Sequence, residues 1–129
     1  MKKTKKSVLK PCLTLVAALL LAPAAIAGDA ANGKQVYNGK GACAGCHGAG
    51  GAGDGAAAVA FNPKPASFVS AAFRLDTDGD GQPGTDADIA NVIKNGAAKY
   101  GGNAGMPGRG DFSAAELADL VAFIRSLKQ

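Results

Sequence analysis

Cys43-Ala44-Gly45-Cys46-His47 decides how this chain is read. Two thiols are separated by two residues, and an imidazole follows at once. C-x-x-C-H is the attachment signature of a c-type haem. On one helical turn, residues i and i+3 lie on the same face. Two thiols placed there can each add across one haem vinyl group, giving two thioether links. His47 can then place a ring nitrogen beneath the iron as the proximal ligand.

Two other chemistries use the same residue types. A thioredoxin-like dithiol needs its C-x-x-C near a βαβ pattern. Residues 28–129 hold few β-branched residues and no clear alternating run, so no sheet is expected. A structural zinc site takes four ligands. Cys43, Cys46 and His47 supply three, crowded together, and the chain has no second histidine. Haem is favoured over both. Because His47 stands alone, ligation by two histidines of one chain is excluded. Met106 is the one methionine beyond Met1, and it lies in a Gly/Pro loop, Gly105-Met106-Pro107-Gly108. A thioether there is not typical core filler. It is left as the distal ligand, and a Met/His pair raises a haem potential.

With these two motifs and the apolar pattern of its last helix, the chain resembles the monohaem class I c-type cytochromes, small electron carriers of bacteria. The resemblance covers nearly all of residues 29–128. It implies an all-α cytochrome c fold, with three to five helices around one covalently attached haem and the N- and C-terminal helices crossing. It implies that Cys43 and Cys46 tether the haem c and that His47 and Met106 are its axial ligands. It also implies a backbone carbonyl near a proline that accepts the Nδ1–H of His47; Pro63, in Phe61-Asn62-Pro63-Lys64-Pro65, is the candidate. Gly33 and Tyr37 match a small and an aromatic residue on the first helix that cross the last helix. Leu120 and Phe123 match their partners. The implied function is one-electron, outer-sphere transfer to docked redox proteins of a respiratory or related chain, not catalysis. The alternative is an open or labile sixth site serving a peroxidase-like enzyme or a gas sensor.

The basic balance of the whole chain, +4 for 129 residues, is misleading. Lys2, Lys3, Lys5, Lys6 and Lys10 precede an apolar run from Leu13 to Leu21, and Ala25-Ile26-Ala27 follows. A charged start, a short apolar stretch and an A-x-A site mark a secretory signal peptide over 1–27. The run is short for a bilayer span, and Pro23 interrupts its end. Without those five lysines, 9 basic residues face 10 acidic ones, a net charge of −1. Nucleic acid then has no electrostatic motive. Cys12 leaves with the leader, so residues 28–129 form one cytochrome c domain with two cysteines, both in the haem motif. No membrane span remains, and the expected location is the periplasm of a Gram-negative bacterium.

The rest of the chain reads as capped helices and loops. Asp29 caps a first helix to about Asn38. Gly33 within it costs roughly 1 kcal/mol against alanine and asks for a packing reason. Gly48 to Gly55 is glycine-rich but lacks the Lys-Ser/Thr ending of a phosphate loop; it reads as a loop covering the haem. Asp76-Thr77-Asp78-Gly79-Asp80-Gly81 opens like an EF-hand loop, but the twelfth position is Ala87, not glutamate. A polar turn is favoured over calcium at Asp76, Asp78 and Asp80. Thr85 and Asp88 form a capping box for a helix to about Lys94, with Ile89, Val92 and Ile93 on its apolar face. Ser113 and Glu116 cap the last helix, with Phe112 and Leu117 as a hydrophobic staple. Lys99, Tyr100 and Arg109 are candidates, by loop position, for bonds to the haem carboxylates.

Since both thiols are consumed as thioethers, haem should stay with the chain on a denaturing gel stained for haem. Release of the pigment into acidified organic solvent would overturn covalent attachment.

Overall fold

A computed structural model describes residues 27–129. Apart from Ala27, the expected leader and its Cys12 lie outside the described residues. Those residues form four α-helices: α1 (Ala30–Asn38), α2 (Ala44–His47), α3 (Asp86–Asn95) and α4 (Ala114–Ser126). Short 3-10 turns cover Ala56–Ala60 and Ala97–Tyr100. No strand occurs among the described residues, only an isolated bridge between Gly96 and Pro107. The all-α architecture expected from the sequence is the one found. No helix among the described residues is long and apolar enough to cross a membrane.

The frame is the crossing of α1 and α4, the most extensive contact between helices. α1 starts at Asp29, whose carboxylate accepts from the amides of Ala31 and Asn32. The Asp29 amide in turn donates to the Asp119 carboxylate at 2.7 Å, tying this start to α4. One turn further on, Gly33 lies against the α4 backbone. A Cβ at Gly33 would fall on the Asp119 carbonyl and 2.8 Å from the Phe123 Cβ. That is the packing reason for a glycine in mid-helix. Tyr37 and Leu120 are both fully buried at this crossing. The Tyr37 and Phe123 rings meet edge-on, 5.1 Å between centroids. α4 opens with both halves of its capping box formed, Ser113 with Glu116. Phe112 and Leu117 are buried on either side of that cap.

α3 packs against α4 through Ile89 and Ile93, both in the buried core. Its capping box is present as well, but Asp88 does more than cap. One carboxylate oxygen accepts from the Thr85 amide and hydroxyl, at 2.9 and 2.8 Å. The other accepts from the Thr77 amide and hydroxyl, at 2.6 and 2.7 Å. Asn91 then donates to the Thr77 hydroxyl. A buried carboxylate therefore ties the acidic turn at 76–81 to the start of α3. Burial works against its charge, yet these four bonds outweigh burial and hold the carboxyl well below its ordinary range.

Two outcomes follow from these contacts. Gly33→Ala improves helix propensity by about 1 kcal/mol. It should nevertheless destabilise the haem-loaded protein by on the order of 1–3 kcal/mol, because the α4 backbone must move away. An unchanged denaturation midpoint would place Gly33 away from the crossing. Asp88→Asn leaves one acceptor where there were two, and should cost about 2 kcal/mol at neutral pH. The folded carboxyl lies below its ordinary value of 3.8, so its contribution is complete above that range. The gap between wild type and variant should close as pH falls toward the folded value. Denaturation midpoints across an acid series measure both the gap and its closing.

Candidate haem site

The attachment turn is held from three directions. The Cys43 amide donates to the Tyr37 carbonyl at 2.9 Å, joining the turn to the end of α1. The Tyr37 hydroxyl, buried, donates to the Gly48 carbonyl at 2.7 Å just after α2. Gly53 and Gly55 return amide bonds to the carbonyls of His47 and Cys46. A Cβ on Gly55 would overlap the carbonyls of Ala44 and Gly45. The sequence expectation puts the glycine-rich run over the haem. It packs behind the attachment turn instead, and none of residues 48–60 lines the cavity described below. At Gly55 the run comes too close to α2 to carry a side chain.

In front of the turn lies a cavity of about 520 Å³ with a mostly apolar wall. That volume falls within the range of cofactor pockets, roughly 300–1,000 Å³. Cys43, Cys46, His47 and Met106 all line it. Phe61, Ile89, Val92 and Ile93 belong to the same wall, so the apolar face read on α3 faces this cavity. Burial pushes the Cys43 thiol above its ordinary range, against the pull of the Arg109 guanidinium. A raised thiol is the opposite of an activated redox dithiol.

His47 is buried and oriented by two neighbours. Its Nδ1 lies 3.0 Å from the Ala66 carbonyl. A carbonyl only accepts, so Nδ1 carries the proton and Nε2 keeps its lone pair for a metal. Burial lowers the ring's proton affinity, with the Ala66 bond acting the other way, which favours the neutral form that ligates. The Phe68 ring stacks on the imidazole, 4.5 Å between centroids. Pro63 is the carbonyl source expected from the sequence; Ala66 supplies it instead. The Phe68 amide donates to the Gly51 carbonyl at 2.7 Å, pinning this segment beside α2. The chain must run past Pro65 before a carbonyl comes beneath the ring. Pro63 remains in the cavity wall.

The Met106 loop is fastened to α3. The Ala97 amide donates to the Met106 carbonyl at 3.1 Å, and the Arg109 amide to the Ile93 carbonyl at 2.8 Å. Gly96 has φ of 86°, and a Cβ there would lie 2.8 Å from the Gly108 amide nitrogen. Only glycine both adopts that backbone readily and leaves room for the loop. Of the candidates for the haem carboxylates, Lys99 and Tyr100 do not line the cavity. Tyr100 instead accepts from Asn95. Arg109 lines it, but its guanidinium bonds Asp111 and the carbonyls of Lys40 and Gly41.

The three carboxylates of Asp76, Asp78 and Asp80 converge, with oxygens within 4.8 Å of one another. Their oxygens accept local amides: Gly79 and Gly81 on Asp76, Asp80 on Asp78, Gln82 on Asp80. Ala87, at the twelfth position, brings no side-chain oxygen to the cluster.

Two half-buried thiols, a neutral imidazole with one free nitrogen and a thioether on one apolar cavity fit a haem c. Comparison with known proteins agrees. A family model described as cytochrome c matches residues 30–128. Among solved structures, a chain of the reducing HAO-like protein complex of Kuenenia stuttgartiensis is 32% identical, with a TM-score of 0.60. The likeness covers 75% of this chain and 41% of that one, so this chain spans under half of that relative's length. No curated protein matches. The chain, matched over nearly all its described length and built around C-x-x-C-H, belongs to the cytochrome c family.

Proposed function

We propose that this protein is an exported, periplasmic electron carrier whose single haem c has His47 and Met106 as axial ligands. The observation that carries the reading is that one cavity is lined by both residues and by both thiols. When bound, haem supplies a one-electron couple. Cys43 and Cys46 tether it, so the carrier keeps its cofactor through many partner encounters. His47 Nε2 ligates from α2, and the proton on Nδ1, given to Ala66, fixes the ring and makes it a better donor. Met106 ligates from a loop whose backbone bonds Ile93 of α3 and Ala97 of the turn that follows it. Ligands held this firmly need little rearrangement when charge changes, which suits outer-sphere exchange. The apolar wall excludes water and, with the soft thioether, favours the reduced state.

The partners are redox proteins that dock and leave. A solved relative occurs within a protein complex, which supports association with other proteins. The leader over 1–27 supports export, since it reads as a signal peptide.

Met106→Ala tests the reading. It should lower the potential, within the roughly 0.8 V that axial ligands span. It should also remove the weak far-red sulfur-to-iron band of the ferric protein and admit carbon monoxide to the ferrous one. If wild-type ferrous protein takes up carbon monoxide as readily as the variant, the sixth site is open. An enzyme or gas sensor is then the better reading.

A further inference from the structure

Arg109 stands three residues beyond Met106, and its guanidinium crosses to the segment that precedes α2. Nη1 donates to the Gly41 carbonyl at 2.9 Å, and Nη2 to the Lys40 carbonyl at 2.8 Å. Nε and Nη2 also donate to the two oxygens of Asp111, at 3.0 and 3.1 Å. Four of its five N–H groups are therefore used. The guanidinium carbon lies 4.6 Å from the centre of the buried Phe112 ring. Lys40 returns the connection: its Nζ donates to the Asp111 carbonyl at 3.1 Å and to Glu116, and lies 5.1 Å from the same ring.

The two segments joined here are anchored to different helices. Residues 40–43 are fixed to α1, since the amides of Gly41 and Cys43 donate to Val36 and Tyr37. The Met106 loop is fixed by its backbone to α3 through Ile93 and to the turn after α3 through Ala97. Among the described residues, the side-chain hydrogen bonds between residues 96–111 and residues 40–43 come from Arg109 and Lys40 alone. The thiol side of the cavity and the thioether side are thus held together by this fork.

The geometry points to Arg109 as a positioning residue: it latches the Met106 loop to the Lys40–Gly41 backbone and so sets how often Met106 leaves the iron. This rests on the reading of Met106 as a ligand. Swinging the loop outward must break two bonds from a charged donor to main-chain carbonyls, the one to Gly41 partly buried. It must also break the backbone bonds to Ile93 and Ala97. Bonds to charged groups are worth about twice neutral ones. The latch therefore suppresses entry of small ligands without touching the iron, which is what separates a carrier from a haem catalyst.

The test uses the haem-loaded protein and three variants. Arg109→Gln removes the fork. Arg109→Lys keeps a cation beside Asp111 and Phe112 but cannot reach both carbonyls. Lys94→Gln removes an exposed positive charge from the end of α3, outside the cavity wall. Carbon monoxide uptake by the ferrous protein and the far-red band of the ferric protein are read for each, beside Met106→Ala. Arg109→Gln should take up carbon monoxide on the order of tenfold faster than wild type or more, the factor expected for losing bonds to a charged group. Its far-red band should weaken. Arg109→Lys should move the same way by less, and it serves as the test if Arg109→Gln does not accumulate with haem. Lys94→Gln should match wild type. Uptake and band at wild-type values in the Arg109 variants, with fast uptake in Met106→Ala, overturn the latch and leave Met106 a ligand. Equally fast uptake in wild type and Met106→Ala overturns the ligand reading, and the latch with it. An accelerated Lys94→Gln would assign the effect to general charge and also overturn the latch.

Discussion

The close approach of α1 to α4 at Gly33 is the contact on which the rest depends. It brings backbone against backbone, so Tyr37, one turn on, is driven into the core beside Phe123. The Tyr37 hydroxyl then reaches the Gly48 carbonyl, and its own carbonyl takes the Cys43 amide. One buried residue thus sets both ends of the attachment turn. Phe68 meets Tyr37 edge-on at 6.4 Å and lies flat on His47. A continuous run of contacts leads from a glycine on a helix face to the imidazole proposed to ligate iron. Burial, above all, pushes the Tyr37 hydroxyl well above its ordinary range, so it stays a neutral donor to Gly48.

The cavity explains how so small a domain can be built. About one hundred residues bury a smaller fraction of their surface than a larger domain does. Here part of the apolar side-chain surface, from α3, Phe61 and Phe68, lines the cavity, and Ile89, Ile93 and Phe68 pack in the core as well. A covalently held macrocycle completes the core as it completes the site. Folding and function then rest on the same surface. The candidate ligands accordingly sit on a single turn and a loop, where they can face the macrocycle, while the longer helices frame it.

Polar ties hold the loops to the helices around this core. Asp88 binds the 76–81 turn to α3 with four hydrogen bonds. Arg109 and Lys40 bind the Met106 loop to the segment before α2. Arg125 bonds Asp86 at 2.7 Å and also the Gly84 carbonyl, closing the start of α3 onto α4 in the same manner. Each tie uses a charged group, whose bonds are stronger than neutral ones. Each joins a loop segment to a neighbouring element.

Local chemistry was readable from the chain alone. C-x-x-C-H names its cofactor because two thiols and an imidazole at that spacing share one helical turn. The caps at Asp29, Thr85 and Ser113 were legible because a cap is a bond between near neighbours in sequence. Gly33 and Tyr37 were legible through resemblance. Met106 stands out as the candidate distal ligand because nothing else in residues 28–129, beyond the two cysteines, offers a soft ligand, and it lines the cavity. Whatever depends on distant segments meeting was decided by the fold. Ala66 rather than Pro63 faces His47 because the Gly51 carbonyl and the Phe68 ring set that segment's position. The glycine run passes behind α2 rather than over the cavity, and at Gly55 the carbonyls of Ala44 and Gly45 leave no room for a side chain. Asp88 reaches Thr77, and Arg109 reaches Gly41, across 11 and 68 residues of chain. No local pattern encodes such pairs, since a side chain's partners at long range are chosen by packing.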